Sequence, residues 1–155
     1  MATGTYPRRT TIAIPRPQLH APGKLAVGFL LLLGLGALAG GAVLVSQPDG
    51  SGMQFSTAIL AGSPFHDFLV PGLILGGLFG VGSFAVAVMG LRSHVLAPFL
   101  AFAIGCAMMI WIVVELAIIG EFSFLHPTMF IVGLVIASAS VPWGLPTFRA
   151  WRAAR

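Results

Sequence analysis

Four long apolar runs, separated by short polar or turn-rich segments, dominate the chain. They cover about residues 25–46, 68–91, 95–119 and 127–148, each longer than the roughly 18 apolar residues that mark a membrane-spanning helix. The pattern predicts an all-α integral membrane protein, a four-transmembrane-helix bundle with a structured first extracytoplasmic loop. Residues 1–24 combine Pro7, Pro15, Pro17 and Pro22 with threonines and arginines, which predicts an extended cytoplasmic tail. Residues 149–155 form a second, basic tail.

The breaks between the runs carry their own signals. Pro48-Asp49-Gly50-Ser51-Gly52 is a turn cluster. Residues 53–61 mix apolar Met53, Phe55, Ile59 and Leu60 with polar Gln54, Ser56 and Thr57, the composition of a short interfacial helix or of a lid over the bundle. Ser63-Pro64 predicts a helix start, with serine as N-cap, proline at the first helical position and Asp67 in the first turn. Within the spans, Pro71 withdraws the N–H that would bond the carbonyl of Asp67 and is expected to kink the second helix; Pro142 does the same to Ser138 in the fourth. Trp143, Phe148 and Trp151 suit an aromatic belt, with Arg149, Arg152 and Arg155 reaching toward headgroups.

Small residues recur four apart, which puts them on one helix face and lets backbones approach closely. The longest ladder is Gly72, Gly76 and Gly80 in the second span. Gly36 and Gly40 in the first, Ala101 and Gly105 in the third, and Gly133 and Ala137 in the fourth repeat the spacing. Packing within the bundle is the expectation preferred over an oligomer interface.

Composition agrees: 57% of residues are hydrophobic and 8% charged, against roughly 25% charged in an average soluble domain. With a mean hydropathy of +1.00, these values exclude disorder, a disulfide scaffold and an ordinary soluble enzyme. The position of the charges says more than their number. Arg8, Arg9, Arg16 and Lys24 precede the first span, Arg92 lies between the second and third, and Arg149, Arg152 and Arg155 follow the fourth. The other two loops hold no lysine or arginine. The positive-inside rule therefore predicts both termini and the Arg92 turn in the cytoplasm. The first span resembles a signal sequence with a site near Ala37-Leu38-Ala39, but its apolar run continues through Val45, so it is read as uncleaved. The sequence pI of about 10.7 is then a topology signal, and no nucleic-acid partner is expected. Cys106, the one cysteine, falls mid-span and suits a small packing residue.

Glu115 is the ionisable residue within a span, about one turn, roughly 6 Å, from the outer end of the third helix. Intramembrane carboxylates are costly, so it is either a functional acid or an anchor for the outer loops. Trp111 lies one turn below on the same face. His66, Asp67, Glu121 and His126 share the outer end with it. His66, Asp67, Glu115 and His126 are weak candidates for a divalent-metal site, because imidazole and carboxylate suit zinc but no paired motif such as H-E-x-x-H is present. Loop hydrogen bonds and helix caps are the preferred account of them. No catalytic motif is found, and no cofactor is expected; no histidine sits at the depth a haem ligand would need. Ser83, Ser138, Ser140 and Glu115 are few groups for a pore, so transport would need an oligomer.

The run Ser63-Pro64-Phe65-His66-Asp67-Phe68-Leu69-Val70-Pro71-Gly72-Leu73-Ile74-Leu75 resembles a segment, S-P-F-x-D-[FY]-L-[VI]-P-G-L, that enters the second helix of uncharacterised small four-helix membrane proteins of actinobacteria. Ile110-Trp111-Ile112-Val113-Val114-Glu115 and Phe122-Ser123-Phe124-Leu125-His126-Pro127 are similar to their third helix and last outer loop. The resemblance covers about residues 25–145. It implies a bacterial plasma-membrane protein and carries no activity. The expected function is a structural or accessory subunit of a plasma-membrane complex, meeting other membrane proteins or itself through glycine-rich helix faces and the outer loop, with the bilayer as its other partner. The alternative is a small transporter or channel subunit using Glu115 and the outer histidines; an outer-face metal enzyme is a distant third.

Overall fold

A computed structural model describes residues 16–120 and 122–153, and all regular structure within them is helical. Residues 1–15, Glu121 and residues 154–155, which include part of the expected tails and one outer acid, lie outside the described residues. Four helices result: α1 Ala21–Ser46, α2 Leu69–Leu91, α3 Ala97–Ile119 and α4 Leu125–Ala153. Each is long and apolar enough to cross a membrane.

Three boundaries differ from the sequence expectation, each for a local reason. α1 starts at Ala21 because Pro22, in the first turn, has φ already set for a helix, and so residues 21–24 belong to the helix and not to the tail. α2 starts at Leu69 and not near Pro64: the Asp67 carboxylate accepts the Leu69 N–H at 3.0 Å, while the Ser63 hydroxyl serves a separate turn through the Phe65 N–H at 3.2 Å. α4 runs on past Phe148 to Ala153, through Pro142 and also Pro146.

The later start of α2 also corrects the role of Pro71. As the third helical residue it has no intrahelical bond to lose, and it is a buried helix starter. The irregularity of α2 lies further along, where Leu75–Val81 winds as a π-helix and the Gly82 N–H reaches back five residues to the carbonyl of Gly77. The glycines in this stretch, Gly76, Gly77 and Gly80, have no Cβ to resist the wider turn.

The helices form an antiparallel ring in which α1 packs against α2 and α4, and α3 against α4 and α2. Two of these interfaces are backbone-close. A Cβ on Gly41 would lie 2.6 Å from the N and Cα of Gly76 and 2.8 Å from the carbonyl of Gly72. Gly72 and Gly80 receive Leu44 and Leu38 of α1. Across the ring, a Cβ on Gly105 would meet the carbonyl of Gly133 at 2.6 Å, and one on Gly133 the carbonyl of Gly105 at 2.8 Å. Ala101 is fully buried beside this contact. On α1, however, Gly36 faces open space, and Gly40 touches only the side chains of Leu75 and Met53. The α1 glycines that admit α2 are Gly34 and Gly41, seven apart, two turns along the same face.

Large side chains close the middle of the ring: Leu30, Phe79, Ile136 and Trp143 are fully buried. Trp143 is thus a core residue and not part of an aromatic belt. Its ring lies in a slot between Gly23 of α1 and Gly90 of α2, where an added Cβ would come within 3.0 Å and 2.8 Å of it. Phe148 and Trp151 remain exposed with their rings stacked, centroids 6.2 Å apart. Outside the ring, Leu32, Leu35, Leu73, Val81, Ile110, Val113 and Ile131 are all exposed, forming an apolar girdle.

Replacing Gly41 by Ala should therefore destabilise the bundle by about 1–3 kcal/mol, because backbone and not a yielding side chain stands in the way. Gly36→Ala should be neutral or stabilising by up to about 1 kcal/mol, since it adds helix propensity without a clash. Unfolding of the detergent-solubilised protein with sodium dodecyl sulfate measures both.

Candidate functional site

The antiparallel order sorts the charges. Asp49, Asp67 and Glu115 gather at the end where α1 and α3 finish, here the acidic end; Arg16, Lys24, Arg92, Arg149 and Arg152 gather at the other, the basic end.

The 47–68 connection crosses the acidic end, with contacts to α1 and α3. Instead of one interfacial helix it forms two 3₁₀ turns, Ser51–Met53 and Thr57–Leu60. Gly50 at φ +85 makes the first bend; a Cβ there would lie 2.6 Å from the Phe55 carbonyl and 2.8 Å from the Phe68 ring, so the position needs glycine twice over. The Asp49 carboxylate accepts the Ser51 hydroxyl at 2.7 Å and the Ser51 N–H at 3.1 Å. These bonds to its charged form hold its pKa below the usual carboxylate value. The Phe68 N–H donates to the Pro48 carbonyl at 2.8 Å, closing the loop, and Phe68, Leu60 and Leu44 form a small apolar cluster with Met53, Ile59 and Phe65 around it.

Glu115 sits half-buried on the last turns of α3, before Gly120 ends the helix in a left-handed conformation at φ +69. The Trp111 indole N–H, one turn below on the same helix, donates toward its carboxylate. Trp111 is itself held edge-on against Phe79, ring centroids 5.9 Å apart. The Nδ1 of His126 lies 3.0 Å from the Ser123 backbone nitrogen and 3.3 Å from the Ser123 carbonyl oxygen, and its ring stacks on Phe122 at 6.2 Å.

The four metal candidates are therefore not brought together. His66 is exposed, and Asp67 is engaged with the start of α2. Among the described residues no group of three or more His, Cys, Asp or Glu could hold a metal ion. A half-buried carboxylate can hold or pass a proton. Leu30, Phe79, Ile136 and Trp143 are fully buried within the ring between the two ends.

Two polar groups stand in surroundings that the sequence reading did not give them. The Ser83 hydroxyl and the Trp143 indole N–H are buried without a hydrogen-bond partner, whereas the buried Ser140 hydroxyl donates to the Ile136 carbonyl at 2.7 Å. Serine in a helix commonly satisfies itself in this way, so sequence alone does not separate Ser83 from Ser140. Comparison of the chain with family models, curated proteins and solved structures returns no match.

Because Asp67 starts α2, Asp67→Ala should cost about 0.5–2 kcal/mol of stability, the usual worth of an N-terminal cap, while Ser63→Ala should cost less. Denaturation in detergent compares the two; a larger loss at Ser63 would restore the earlier helix start.

Proposed function

We propose that the protein is a multi-pass membrane protein, with both termini cytoplasmic, that serves as a structural or accessory subunit of a plasma-membrane complex. The observation that carries this reading is the division of its surface. The ring interior is filled, the girdle around the four helices is apolar and exposed, and Phe122 and Phe124 at the acidic end are 73% and 79% exposed. Aromatic residues this exposed, in a loop rimmed by His126 and Glu115, suit contact with a partner or with the bilayer interface. The placement of every lysine and arginine supports the orientation, and the actinobacterial resemblance supports a bacterial plasma membrane. The glycine ladder is spent inside the bundle, so on this reading a partner helix meets the open side of α1 around Gly28 and Gly36, and the acidic-end loops. Purification from native membranes in mild detergent should return a second membrane protein, or a second copy, in stoichiometric amount. Phe122→Ser with Phe124→Ser should release it; recovery of the monomer alone from the unaltered protein would end this reading.

The half-buried Glu115, at the same end of the bundle as His126, favours a second reading, an oligomeric proton or ion pathway in which this pair handles the charge. In proteoliposomes, Glu115→Gln should then abolish any flux carried by the purified complex. Unchanged flux would remove the pair from the pathway.

A further inference from the structure

We propose that the basic end carries a binding site for a phosphate group, in the cleft between the 16–20 segment and the turn from α2 to α3. The cleft, about 380 Å³, is lined by Arg16, Arg92, Ser93, His94 and Val95. Its two guanidinium-bearing residues come from parts of the chain far apart in sequence, and the fold places them on one cavity. Like charges so placed repel unless an anion lies between them. The described carboxylates cannot supply it, because Asp49, Asp67 and Glu115 stand at the acidic end, a 23-residue helix, roughly 35 Å, away.

Both walls are held by the bundle. Before α1, Pro17 is buried and Leu19 packs on the core, which anchors Arg16 beside the helices. After α2, the N–H groups of Arg92, Ser93 and His94 donate to the carbonyls of Val88, Gly90 and Met89 at 3.0, 3.0 and 2.9 Å. Ser93 takes a left-handed backbone, φ +52, that a residue with a Cβ adopts only under constraint. The Nδ1 of His94 accepts the Leu96 N–H at 3.2 Å, so neutral His94 carries its proton on Nε2 and presents a donor there. The lining therefore offers two guanidinium groups, a hydroxyl and an imidazole N–H. That is a donor set matched to the several oxygens of a phosphate, with arginine suited to bind them in pairs.

The phosphate could belong to a phospholipid headgroup or to a soluble molecule. The site lies where the apolar helices α2 and α3 end, which is headgroup level if they span a bilayer; the lipid source rests on the membrane reading above, the phosphate chemistry does not.

The purified full chain in neutral detergent is titrated with phosphatidylglycerol, with phosphatidylcholine and with inorganic phosphate. Native mass spectrometry counts retained lipid, and calorimetry reads phosphate. One phosphatidylglycerol should be retained per chain. Its affinity should fall about tenfold or more in Arg92→Gln and separately in Arg16→Gln, and stay unchanged in the double variant Arg149→Gln, Arg152→Gln. Arg16 precedes every helix, so its variant tests the site without threatening the fold. Saturable inorganic phosphate binding with the same dependence on Arg16 and Arg92, but no retained phosphatidylglycerol, supports the site and assigns it a soluble ligand. Equal losses in the Arg149, Arg152 variant, or no saturable binding of either probe, overturn the proposal. Recovery of the chain in the soluble fraction without detergent would instead defeat the membrane reading and leave the phosphate titration to decide the cleft.

Discussion

Backbone approach at glycine is the constraint on which this structure depends. Where Gly41 meets Gly76 and Gly105 meets Gly133, nothing but main chain separates the helices, and any Cβ at Gly41, Gly105 or Gly133 would overlap it. Helices this apolar gain little from burying their side chains against one another when their surroundings are equally apolar. Close packing of main chain must then supply the association. The α1–α2 and α3–α4 pairs are the two halves so built, and Trp143 joins them by inserting into the gap that Gly23 and Gly90 leave. The π-helical stretch of α2 falls at the same level as its glycines, so the irregular turn and the closest contact are one feature.

The same antiparallel packing produces the electrical asymmetry. Antiparallel order places alternate helix ends on the same side, and the charges follow the connections. A carboxylate one turn inside α3 is half-buried there and accepts from the Trp111 N–H one turn below it. At the basic end no described carboxylate answers the arginines, and this imbalance makes the two ends different kinds of surface. The interior between them is filled by Leu30, Phe79, Ile136 and Trp143.

Helix number, the positions of the spans to within a few residues and the segregation of charge were legible in the sequence. Each depends on composition along a single stretch of chain: about twenty apolar residues need no partner to be recognised as a helix of that length. Boundaries were less legible. Ser63-Pro64 has the local chemistry of a helix start, but Asp67 has it too, and the Phe68 N–H bond to Pro48 decides for the later one. The spacing of four pointed to Gly36, whereas the face that meets α2 carries Gly34 and Gly41; the spacing rule defines a face but not its azimuth.

What the sequence by itself determined is the set of helices and the sign of charge at each end, because hydropathy and charge are properties that residues carry wherever they are placed. Only the tertiary structure decided that Trp143 is core and not belt, that no three of His66, Asp67, Glu115 and His126 come together, and that Arg16 shares a cleft with Arg92. These are relations between helices. They are set by the rotation and depth at which glycine lets two backbones meet, which no single stretch of sequence contains.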